Sequence, residues 1–135
     1  MIKGIAHLAF TVTDMEKALG FYVDGLGFTK AFELADDAGK PWIVYLKVAP
    51  GQFIELFYHG IKGPEPTRNQ AGYAHLCLEV DDIEAIAQQM ADAGIPLDIP
   101  VQQGKDLNRQ CWVRDPDGNR IEFMEMHPDS PQNRA

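Results

Sequence analysis

The segment Asp115-Pro116-Asp117-Gly118-Asn119-Arg120-Ile121-Glu122-Phe123-Met124-Glu125-Met126 joins a tight turn to a strand. Pro116 presets its own φ, the flanking aspartates accept from nearby amides, and Gly118 supplies positive φ cheaply. Past the turn, alternation puts Ile121 and Phe123 on one face and Glu122, Met124 and Met126 on the other. Glu122 therefore enters a sheet face that otherwise carries apolar side chains. A buried carboxylate there requires a partner.

The rest of the chain supplies candidates through an internal repeat. Residues 5–12 read as a strand with His7, Ala9 and Thr11 on one face and Leu8, Phe10 and Val12 on the other. Thr13 and Glu16 have capping-box spacing, so Thr13 is the expected N-cap of a helix whose stripe is Met15, Ala18, Leu19 and Tyr22, ended by Gly25 and Gly27. Strands are expected at 28–34, 42–48 and 53–58, the last pointing Phe53, Glu55 and Phe57 together. A Gly- and Pro-containing linker over about 60–72 follows. Then the opening pattern returns: His75 lies 68 residues after His7, Val80 68 after Val12 and Glu84 68 after Glu16, while Glu122 lies 67 after Glu55. Ile83, Ile86, Ala87 and Met90 form the second helical stripe, with strands near 97–101, 110–114 and 121–126 and a loose tail at 127–135.

This organisation predicts an α+β protein. Two βαβββ modules in tandem, about 4–59 and 73–126, form a curved mixed sheet around a metal-binding cleft. A single domain of 135 residues is long enough for a sizeable core. The net charge of −8 argues against nucleic acid, which needs clustered Lys and Arg. No apolar run approaches a membrane span, and the N-terminus enters a strand pattern without signal-peptide character, so a cytoplasmic location is expected. Cys77 and Cys111 lack metal-type spacing and suggest no disulfide; Cys77 reads first as a small core residue.

His7, Glu55, His75 and Glu122 occupy matching positions of the two halves. Two imidazoles and two carboxylates suit a borderline dication such as zinc, nickel or cobalt, and their two negative charges balance it. An octahedral ion would keep two positions for water or a chelating substrate. Phe53, Phe57, Met124 and Met126 flank these residues.

With these residues in hand, the chain resembles the vicinal-oxygen-chelate superfamily, in its glyoxalase I (lactoylglutathione lyase)-like branch, over nearly all of residues 5–126. The shared stretches are the strand at His7, Phe21-Tyr22, Gly25 to Phe28, Ile54-Glu55-Leu56, Gly72 to Leu76 and the closing Asp-Pro-Asp-Gly-Asn-Arg-Ile-Glu segment. The resemblance implies a metal set of His7, Glu55, His75 and Glu122, with nickel or cobalt first and zinc next. It also implies a homodimer acting on a small molecule. The implied reaction converts a 2-oxoaldehyde hemithioacetal to a 2-hydroxyacyl thioester by proton transfer through a metal-bound enediolate, with Glu122 the first choice of base and Glu55 the second. Two alternatives share the fold. An extradiol-type ring-cleaving dioxygenase with iron would need only His7, His75 and Glu122, and a binding or resistance protein would need no metal. Enzymes of the glyoxalase I type commonly hold the glutathione carboxylate with an Arg and an Asn at positions that are Thr11 and His59 here, which leaves the thiol open. Lys105, Asn108 and Arg109 are candidates for anchoring a different anion.

Overall fold

The computed structural model describes residues 1–64 and 69–135; part of the expected linker, residues 65–68, lies outside them. The chain divides into two compact units, Met1–Pro64 and Glu65–Ala135.

The first unit runs β1 (His7–Thr11), α1 (Met15–Leu19), a π-helical stretch (Gly20–Gly25), β2 (Thr29–Ala35), β3 (Pro41–Ala49) and β4 (Gln52–Phe57). Its sheet has the order β1-β4-β3-β2, with β1 and β4 parallel and the other pairs antiparallel. The cap of α1 is Asp14 and not the expected Thr13: the Lys17 amide donates to its carboxylate at 3.1 Å. A carboxylate does more there than a hydroxyl, because it also meets the positive end of the helix. The π-helical stretch widens the turn, as the Leu26 amide reaches back five residues to the Phe21 carbonyl at 2.9 Å. That shift buries Phe21 beside Tyr22, which a strict 3.6-residue period left outside the stripe. Tyr22 stacks between Phe10 and Phe28, with centroids at 6.2 and 6.1 Å. Val44, Leu46, Ile54 and Leu56 complete this core, each burial stabilising by roughly 1.5–3 kcal/mol.

The second unit repeats the plan: β5 (Leu76–Glu79), α2 (Ile83–Asp92), β6 (Ile99–Gln103), β7 (Arg109–Arg114) and β8 (Arg120–Glu125), with sheet order β5-β8-β7-β6. Asp82 caps α2 by accepting from the Glu84 and Ala85 amides at 2.9 and 3.0 Å, and it lies 68 residues after Asp14. Ile83 and Met90 bury the helix stripe against Cys111, Val113, Ile121 and Phe123. The tandem βαβββ arrangement is thus present as two four-stranded mixed sheets. The tail is not loose. Ser130 is buried and caps a short helix, α3 (Pro131–Arg134), by accepting from the Asn133 amide at 3.2 Å. Among the described residues, no helix is long and apolar enough to cross a membrane.

The turn into β8 is built around Asp115. Its carboxylate accepts from the Asp117 amide at 3.0 Å, the Asn119 amide at 2.8 Å and the Asn119 side-chain amide at 2.9 Å. Gly118 sits at φ 88°, where any L side chain is strained. Asp115→Ala strands several donors in a partly buried turn, so it should cost about 2 kcal/mol. The expected result is a lower urea midpoint with an unchanged m-value, and an unaltered midpoint would show the turn to be dispensable.

Candidate metal centre

Strand register decides which side chains meet. In the first unit Ala9 lies opposite Glu55 on parallel β1 and β4, so His7, two residues earlier, shares the Glu55 face. The His7 Nε2 is 3.5 Å from the Glu55 Oε1. In the second unit Cys77 lies opposite Glu122, and His75, one residue before β5, again stands two positions earlier. There His75 Nε2 is 3.1 Å from Glu122 Oε2. Each unit thus holds one His–Glu pair made in the same way.

Both carboxylates are buried, Glu55 at 6% exposure and Glu122 at 5%. Among the described residues, neither has a Lys or Arg within ion-pair distance; the one basic side chain beside each is its histidine. A buried carboxylate beside an imidazole, with no fixed cation, is chemically suited to a divalent ion. Among the described residues no group of three or more His, Cys, Asp or Glu side chains is close enough to hold an ion, so the four expected ligands are brought together two at a time.

The other neighbours differ between the pairs. Opposite Glu55 on β3 stands Tyr45, whose hydroxyl donates to Glu55; that bond, followed by burial, raises the phenol's pKa. Opposite Glu122 on β7 stands Trp112, which meets the His75 ring edge-on at 4.7 Å. Tyr45 meets His7 edge-on at 6.3 Å and stacks on Phe32 at 4.2 Å. Sequence reading passed over both aromatics, although a signal existed: Trp112 follows Tyr45 by 67 residues, the offset separating Glu122 from Glu55. Cys77 is not a core residue. It lies at the Glu122 face and part of it reaches solvent, while Cys111 is the buried cysteine. Desolvation of the sulfur and the Glu122 charge push its thiol up to about 12, so it stays protonated beside the carboxylate.

The remaining candidates scatter. Phe53 and Phe57 share the Glu55 face, opposite His7 and Thr11 respectively, and Phe57 meets Trp42 edge-on at 5.9 Å. His59 lies past β4 at φ 66°, exposed. Met124 is on the Glu122 face, its sulfur 3.2 Å from the Asn108 side-chain amide. Asn108 is fully buried and committed to the fold, donating also to Asp106 at 2.8 Å and accepting from the His127 amide at 2.9 Å. Lys105 is exposed in the turn before β7. Arg109 alternates with Gln110 onto the helix-covered face, where its guanidinium engages Glu84 of α2 and lies 3.8 Å from Glu125. It is therefore not brought to the face that carries Glu122.

Two equivalent His–Glu pairs on tandem βαβββ units define a class of protein, and comparison with known sequences agrees. Residues 4–123 match the Glyoxalase/Bleomycin resistance protein/Dioxygenase superfamily, and the chain belongs to it. The Escherichia coli protein YaeR is 30% identical over 125 residues, covering 92% of this chain and 97% of YaeR. A lactoylglutathione lyase from Haemophilus influenzae is 29% identical over 127 residues, covering 90% of this chain and 91% of the lyase. Among solved structures, a glyoxalase family protein from Enterococcus faecalis superposes with a TM-score of 0.79 at 26% identity, covering 91% of this chain and 98% of that one.

Proposed function

We propose that the chain is a glyoxalase I-like, metal-dependent lyase that converts a 2-oxoaldehyde hemithioacetal to a 2-hydroxyacyl thioester. The observation carrying this reading is the repeated buried carboxylate whose partner is a histidine and not a fixed cation. His7, Glu55, His75 and Glu122 would hold a divalent ion, nickel or cobalt first and zinc next, and such an ion supplies Lewis-acid stabilisation of charge developing on substrate oxygens. The similarity to a lactoylglutathione lyase supports the same reaction class.

Within this reading Glu122 takes the proton from the carbon beside the carbonyl and returns it to the neighbouring carbon. Glu122 is preferred over Glu55 because the two are bonded differently. The Tyr45 hydroxyl is a strong donor that stabilises the Glu55 carboxylate, whereas the Cys77 thiol beside Glu122 is a weak one. Phe53 and Phe57 on the Glu55 face, and Met124 on the Glu122 face, would shield the reacting carbons from water. Phe32, Leu34 and Trp42 leave large apolar side chains exposed on β2 and β3, which supports a homodimer as the working assembly.

The test is to load the full chain with nickel, cobalt or zinc and assay methylglyoxal with glutathione and with other thiols. Thioester formation that stops on chelation and returns with metal is the expected result. Activity with a thiol other than glutathione would fit Thr11 and His59. Failure with every thiol, alongside oxygen uptake on catechols with ferrous iron, would replace the lyase reading by the ring-cleaving one.

A further inference from the structure

We propose that Arg120 and Arg114 form an oxyanion subsite beside the His75–Glu122 pair, selecting a substrate that carries a carboxylate or phosphate. The selection of substrate rests on the function proposed above; the binding of an anion does not.

Register places Arg114 opposite Arg120 and Trp112 opposite Glu122, so these four side chains share one face of β7 and β8. Like charges directly opposite one another on a sheet repel. Among the described residues, the carboxylate within ion-pair distance of both is Asp98, 3.2 Å from Arg114 Nε and 3.9 Å from Arg120 Nε. Two guanidinium groups therefore share one carboxylate. Set against Asp98 alone, one positive charge is left over, on a chain whose net charge is −8.

That surplus is held in position. The Arg120 guanidinium carbon sits 4.3 Å from the centre of the Trp112 ring. The same ring meets His75 edge-on at 4.7 Å. The indole N–H is fixed in turn by Gln110, donating at 2.6 Å. Among the described residues the buried Arg120 Nε makes no hydrogen bond, while the side chain as a whole stays 37% exposed, so the guanidinium can be reached by a ligand. A stacked guanidinium loses little freedom when it binds, and its planar fork matches the oxygens of a carboxylate or phosphate. Arg120 stands two residues along the strand from Glu122, a spacing of about 7 Å. A small substrate reacting at Glu122 would reach it with an anionic group a few bonds away.

The experiment uses the full chain, with Trp42 replaced by Phe so that Trp112 alone reports by fluorescence. The protein is treated with chelator and titrated at low salt with inorganic phosphate, acetate and neutral acetamide. Saturable binding of phosphate or acetate, and none of acetamide, is expected. The tighter of the two anions identifies the group the substrate carries. Arg120→Gln should weaken binding at least about tenfold, because it removes the fork and its charge. Asp98→Asn should tighten it about threefold or more, because it removes the competing carboxylate. No saturation in the native chain, equal binding after Arg120→Gln, or no tightening after Asp98→Asn would overturn the subsite. Glu122→Gln should keep the anion site. If no hemithioacetal is turned over while phosphate or acetate still binds, the lyase reading fails and the subsite stands.

Discussion

Glu122→Gln is expected to lower turnover by about 10²- to 10⁴-fold, the range supplied by a positioned general base. The amide keeps the size of the carboxylate, and the site is closely packed around it: Glu122 is buried, with His75 at 3.1 Å, Cys77 opposite on β5 and Trp112 opposite on β7. Gln retains an oxygen that can accept a hydrogen bond from the Cys77 thiol. Folding should survive, with a urea midpoint close to that of the native chain. With metal in excess, so that a weakened ligand is not limiting, the loss should appear in kcat more than in KM. Glu55→Gln provides the contrast. If Glu55 is a ligand held by Tyr45 and not the base, its substitution weakens metal binding, and excess metal restores part of the rate. Turnover by Glu122→Gln at the native rate would contradict the assignment of the base.

The second large effect is expected at the histidines. His7→Ala and His75→Ala each remove a nitrogen donor from one pair. Removing a side chain that only orients a metal ligand costs roughly 10- to 100-fold in affinity, so loss of a direct ligand should exceed that. Both histidines are partly exposed, and their rings pack edge-on against Tyr45 and Trp112. Truncation opens little core, and Tyr45 and Cys77 still donate to the two carboxylates, so the metal-free chain should keep its fold. An effect confined to one histidine would mean that the two halves have diverged in role despite their matching geometry.

Much of this arrangement was legible from residue order. Period-two alternation placed Glu55 with Phe53 and Phe57, and Glu122 with Met124, because a half-buried strand leaves no other choice. The repeat offset linked His7 to His75 before any register was known. The turn before β8 was equally readable, since Asp115 and Gly118 have few other uses at that spacing. Other features depended on information that composition does not carry. Asp14 displaced Thr13 as cap because an adjacent carboxylate outcompetes a hydroxyl, and both spacings look alike in sequence. Phe21 joined the core only because a π-helical stretch altered the period. Ser130 and α3 were hidden by a polar, Pro-containing tail whose anchoring depends on one buried hydroxyl. Arg109 looked like a loop cation, but its place at the start of β7 turns it toward Glu84. Arg120 and Asp98 are 22 residues apart, and only the strand pairing shows that two arginines draw on one carboxylate.

The central claim is that both His–Glu pairs serve the same ion. It is tested most directly by counting bound nickel, cobalt or zinc per chain in the purified protein, the His7→Ala and the His75→Ala variants. One ion per chain in the native protein, lost in both variants alike, is the predicted result. Two ions per chain, or full occupancy after either substitution, would contradict it, because the pairs would then be separate sites.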